Sequence, residues 1–133
     1  AGYPMATQIT FTTTDNLKND RETLKKVMLA DIKGWRESLK DPTKGADLAV
    51  DVYGKDLGLE KAAAEQESKT QNTLILTDDT KANGIYTVSD ELLDETLQSL
   101  GYGDIKIDAA KLFDFSLLEE IYEENPDLKT SPV

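Results

Sequence analysis

The stretch Tyr3-Pro4-Met5-Ala6-Thr7-Gln8-Ile9-Thr10-Phe11-Thr12-Thr13-Thr14 sets the expectation for everything after it. It is rich in β-branched and aromatic residues, and Ile9 and Phe11 alternate with threonine. That alternation is the pattern of a β-strand with one buried face. A single strand leaves its backbone donors and acceptors without partners. No second run of matching quality follows in the chain. The sheet that this strand would join is therefore expected to lie outside these residues.

Behind it the periodicity changes to helical. Asp15 to Asn19 reads as a loop, with Asn19 as the cap of a helix that carries Asp20 and Glu22 in its first turn. Leu24, Val27, Met28, Ile32, Trp35 and Leu39 recur at three- and four-residue spacing and form one apolar stripe. Asp41-Pro42 ends it and opens a shorter helix through Ala46, Ala49, Val50 and Tyr53, stopped by Gly54. Leu59 to Thr73 is a weak helix, polar on most sides past Glu65, and Leu74-Ile75-Leu76 leads to a polar turn at Asp78–Gly84. Ser89 caps a helix through Leu92, Leu93, Thr96, Leu97 and Leu100, with Gly101 as a left-handed stop. Ser116 and Glu119 have the spacing of a capping box before Leu117, Leu118, Ile121 and Tyr122, and Pro126 closes that helix.

The 133 residues hold one domain, and 38% apolar residues suffice for one core. Fifteen basic against twenty-six acidic residues give a net charge of −11. Such a surface repels phosphate backbones and anionic headgroups, so nucleic acid is not an expected partner. No apolar run approaches the ~20 residues of a membrane-spanning helix. There is no cysteine and no histidine. Disulfides, thiolate chemistry and zinc sites built on Cys are excluded, along with the commonest general base near neutral pH. No catalytic residue, metal ligand or cofactor is expected.

Three stretches, in order, give the chain a likeness to a known family. They are Gly2-Tyr3-Pro4 with the Ile9-to-Thr14 strand and the helix bearing Gly34-Trp35, then Asp78-Asp79-Thr80-Lys81-Ala82-Asn83-Gly84-Ile85, then Leu112-Phe113-Asp114-Phe115-Ser116-Leu117-Leu118. Together they resemble the C-terminal portion of the NMT1/THI5-like (SsuA-like) periplasmic solute-binding proteins of ABC transporters, which have the type II binding-protein fold. Complete members are two-lobed and roughly twice as long or more.

The resemblance implies an α/β class and a partial lobe. Residues 1–14 would be the hinge or return strand, 19–126 about five helices completing the first lobe, and 127–133 a frayed tail. It implies a fragment of the substrate-binding component of an importer, not an enzyme. The protein would be periplasmic or extracellular, lipid-anchored in a Gram-positive cell. It would capture a sulfonate, nitrate or thiamine-pyrimidine precursor. Its partners would be that small molecule, the ABC permease and the missing N-terminal half of the same protein. Tyr3, Thr12, Thr13 and Thr14 sit where the family's hinge strand passes the ligand, and are the candidate binding residues; ordinary strand surface is the plainer account.

Other features read more simply. Asp78, Asp79 and Asn83 fail the ligand spacing of a calcium loop, because Lys81 occupies a ligand position and no Glu closes it. Trp35 is a core anchor before it is a stacking platform. Glu119-Glu120 and Glu123-Glu124 form a solvated face. A catalytic reading, after fungal relatives that consume their own histidine, lacks both the His and the Cys it needs. The alternative from another class is a small acidic helical protein-interaction module, which would need a closed core of its own. The fragment reading instead expects Ile9, Phe11, Val27 and Trp35 to lack their cover, and dimerisation or strand exchange to hide them.

Overall fold

A computed structural model describes residues 9–133. Among them every regular element is helical. The α-helices are α1 (Thr14–Asn19), α2 (Arg21–Lys40), α3 (Pro42–Asp47), α4 (Lys61–Ile75), α5 (Asp78–Asn83), α6 (Asp90–Gly101), α7 (Ala109–Leu112) and α8 (Ser116–Glu124). A π-helical turn, Leu48–Tyr53, continues α3, and short 3-10 turns occupy Lys55–Leu57 and Pro126–Lys129.

The expected α/β class and partial lobe of a type II binding-protein fold are therefore overturned: the described residues make an all-helical fold with no strand and no sheet. The reason is visible where the strand was expected. Ile9 and Phe11 have no ladder to join and stand 62% and 89% exposed. Thr13 instead takes the N-cap of α1, its side chain accepting from the Asn16 amide at 3.1 Å. A threonine run satisfies its backbone locally in this way when no partner strand is present. The Tyr3–Gln8 part of the expected strand lies outside the described residues.

The core sits where α2 crosses α8. Ile32 and Ile121 are fully buried, and Leu117, Leu118, Tyr122 and Leu128 close around them. Leu24 and Met28 of the stripe pack on this cluster from α2, joined by Leu29 from outside the stripe, while Val27 stands 60% exposed. Ion pairs set the register of the two helices. Arg21 donates to Glu120 Oε1 through Nε at 3.1 Å and Nη2 at 2.6 Å, and to Ser116 Oγ at 3.1 Å. Lys25 meets Glu124 and, at 3.7 Å, Glu120. These pairs are solvent-screened, so they orient the two helices more than they stabilise them. Arg36 Nη1 donates to the Leu128 carbonyl at 2.9 Å and also to that of Thr130, tying the C-terminal turn to α2.

A second layer is built by α3 and α4 on the far half of α2. Asp41 caps α3 as its sequence suggests, accepting from the amides of Thr43 (3.1 Å) and Lys44 (3.4 Å). Ala46 is buried beneath α4, and Lys61 on α4 pairs with Asp47 at 2.7 Å. Asn72 is buried and donates to the Ser38 carbonyl at 2.8 Å.

Three caps differ from expectation. Asn19 closes α1, and Asp20, without a side-chain bond, takes the N-cap of α2. Asp114, not Glu119, serves the start of α8, with Oδ1 accepting from the Ser116 amide (2.9 Å) and hydroxyl (2.6 Å). The left-handed residue after α6 is Asp104 (φ 60°), while Gly101 remains helical.

Candidate functional site

The sequence signal Asn83-Gly84 marks the turn around which the site forms. Gly84 has φ 102° and ψ 165°, a backbone conformation open to glycine almost alone. Two residues later Tyr86 adopts φ 69°, the left-handed region that a bulky side chain avoids. The turn is held from several sides. The buried Tyr122 hydroxyl donates to the Ile85 carbonyl at 2.7 Å, and the Thr87 hydroxyl donates to the Gly84 carbonyl at 2.6 Å.

So placed, Tyr86 reaches α2. Trp35 Nε1 donates to the Tyr86 phenol oxygen at 3.0 Å, and the phenol in turn donates to the Asp31 carboxylate. Burial pushes the Tyr86 phenol up to about 12, with the bond to Asp31 adding to it and the indole opposing. Burial likewise pushes Tyr122 up to about 12.

Beside this relay lies an open cleft of about 630 Å³. Its walls come from α2, the junction of α4 with α5, the loop from Ile85 to Ser89, and the α7–α8 connection. They are largely apolar, and they include Trp35, Tyr86 and the stacked pair Phe113 and Phe115, whose ring centroids are 5.9 Å apart. The volume falls within the range of small-molecule sites. A smaller cleft of about 360 Å³ lies between α2, α3 and α4, and Trp35 and Gln71 line both.

No family model, curated protein or solved structure matches the chain.

The residues expected to bind ligand are placed apart from this cleft. Thr12 is exposed, Thr13 caps α1 and Thr14 begins it, whereas Ile9 and Thr10 do reach the cleft wall. Tyr3 lies outside the described residues. Asp78, Asp79 and Asn83 form α5 under a Thr77–Thr80 capping box, with Asp79 accepting from Asn83 at 2.8 Å. Among the described residues no group of Asp or Glu is placed to hold a metal ion. Trp35 is half-buried at the cleft wall and stands outside the buried cluster. Asp31 and Tyr86 escape sequence reasoning, because a contact spanning 55 positions leaves no local signal. The one hint is the Asn-Gly turn that delivers Tyr86.

The half-buried Tyr86 phenol and the buried Tyr122 phenol make the fold sensitive to alkali. An unfolded tyrosine loses its proton near pH 10, whereas Tyr86 and Tyr122 hold theirs to about 12 in the fold. Between those values the unfolded chain binds fewer protons than the folded one, so stability falls as pH rises. Their contribution is complete below pH 10 and is lost between pH 10 and 12. Helical circular dichroism followed against phenolate absorbance should show unfolding in that window. Tyr122→Phe should reduce the alkaline loss, although it costs about 1–2 kcal/mol at neutral pH by removing a buried hydrogen bond.

Proposed function

We propose that these residues belong to the solute-binding component of an ABC importer and hold part of a small molecule in the cleft beside Trp35 and Tyr86. The cleft itself is the observation that supports this most. It has apolar and aromatic walls, a volume suited to a small solute, and a side-chain relay fixed by a strained turn. The three stretches that resemble the binding proteins supply two of those walls, the Ile85 turn and the Leu112–Phe115 segment. On this reading the protein works outside the cytoplasm and delivers its solute to a permease. No helix among the described residues is long and apolar enough to cross a membrane.

Trp35 is the chain's single tryptophan, so its fluorescence reports on this cleft and on the smaller one it also lines. Titration with sulfonates, nitrate, thiamine-type pyrimidines and amines should give a saturable change in emission for at least one class. Trp35→Phe should abolish the signal, and Tyr86→Phe should weaken binding about three- to tenfold by freeing the indole and the carboxylate. A flat response across the panel would remove the support.

A second reading, a helical interaction module, draws on the exposed apolar side chains. Phe11, Val27, Tyr53, Leu74 and Tyr102 all stand more than half exposed on an acidic surface. Sedimentation separates the two. A stable monomer at high concentration with a cooperative melt favours the module, and concentration-dependent association favours a protein lacking its cover.

A further inference from the structure

The charge of the cleft wall is one-sided. Among the described residues the ionisable groups lining it are Asp79 and Asp114, apart from the phenol of Tyr86; no Lys or Arg lines it. Asp114 is held well below the usual carboxylate range by its bonds from the Ser116 hydroxyl and amide, so it is charged at neutral pH. Arg21, whose charge also lowers Asp114, is already bonded to Glu120. The aromatic part of the wall also offers an anion nothing. The indole N–H of Trp35 is spent on Tyr86, and the Tyr86 proton on Asp31. Besides uncharged threonine, serine and glutamine side chains, what faces the cleft is π-surface, a phenol oxygen that only accepts, and two carboxylates, with no positive charge among them.

We infer that the cleft selects a small organic cation, an ammonium group on an apolar body, over neutral and anionic molecules of the same shape. Trp35, Tyr86, Phe113 and Phe115 provide the ring faces that attract an ammonium group, tryptophan most strongly. Asp79 and Asp114 supply the compensating charge, and the acidity of the whole chain raises the local concentration of cations. This narrows the solute named above, since sulfonate and nitrate find no donor of positive charge here. It rests on the reading of the cleft as a binding site.

The test uses three probes of one shape on the unaltered chain: choline, the neutral 3,3-dimethylbutan-1-ol and the anionic 3,3-dimethylbutanoate. Trp35 emission is followed at low salt and again at 0.5 M salt. Choline should bind about tenfold more tightly than the alcohol, the butanoate should not bind, and salt should weaken choline alone. Asp79→Asn and Asp114→Asn should each weaken choline by about three- to tenfold and leave the alcohol unchanged, with helicity checked by circular dichroism. Equal binding of choline and the alcohol, or tighter binding of the butanoate, overturns the selectivity while the cleft remains a site. Silence of Trp35 toward all three overturns the selectivity and removes support from the binding site with it.

Discussion

Ile121→Ala is expected to destabilise the fold by about 3 kcal/mol and to lower its melting temperature by about 10–15 °C. Ile121 is wholly buried and meets Ile32, the other fully buried large side chain, across the α2–α8 contact. Truncation removes the transfer free energy of three carbons and leaves a cavity that two crossed helices cannot easily collapse. The effect is large relative to what the molecule has. Only nine apolar residues among those described are buried, and one of them is Ala46. A domain with so small an interior sits at the low end of the usual 5–15 kcal/mol, so the variant should lose most of its cooperative transition. Val27→Ala, on the same helix but 60% exposed, should stay within about 0.5 kcal/mol of the parent. Thermal melts followed at 222 nm compare the three. An Ile121→Ala melt that coincides with Val27→Ala would remove the α2–α8 contact as the centre of the fold.

How much of this was readable in advance depends on the range of each interaction. Local signals translate directly. The apolar stripe of α2 buries Ile32 and Leu39, Asp41-Pro42 starts α3, and Ser89 caps α6 by accepting from the Leu92 amide at 3.3 Å. Signals that need a partner do not. The Ile9–Thr14 alternation specifies a strand only if a neighbouring strand exists, and without one Thr13 turns the chain into α1. Ser116 and Glu119 have capping-box spacing, but Asp114, two residues upstream of Ser116, bonds its amide and hydroxyl. Trp35 sits at the margin of the stripe, where a half-buried indole and a buried one have the same spacing. Its partner Tyr86 is fixed by backbone strain that no residue type announces. The longer helices were legible one by one, whereas α1 and α5, read as a loop and a polar turn, and the fold class were not. The site was hidden because both bonds of the Trp35–Tyr86–Asp31 relay join residues more than fifty positions apart.

Gly84→Ala is the second large effect, expected to cost about 3–5 kcal/mol. At φ 102° an L side chain is strained whatever space surrounds it, and here there is none: a Cβ would lie 2.6 Å from both Cζ and Oη of Tyr122. The ring cannot step aside cheaply, because it is 5% exposed in the core and its hydroxyl is bonded to the Ile85 carbonyl. Relief requires either breaking that bond or moving the turn, and moving the turn displaces Tyr86 from Trp35 and Asp31. The variant should therefore show two linked changes, a lower melting temperature and an altered Trp35 emission in the folded state. Gly58→Ala is the internal comparison. It too has a positive φ, 62°, but a Cβ there meets nothing within 4 Å, so it should cost only about 1–2 kcal/mol and leave Trp35 unchanged. If Gly84→Ala proves no more costly than Gly58→Ala, or unfolds without touching the Trp35 signal, then the turn does not hold the Tyr86 relay in place.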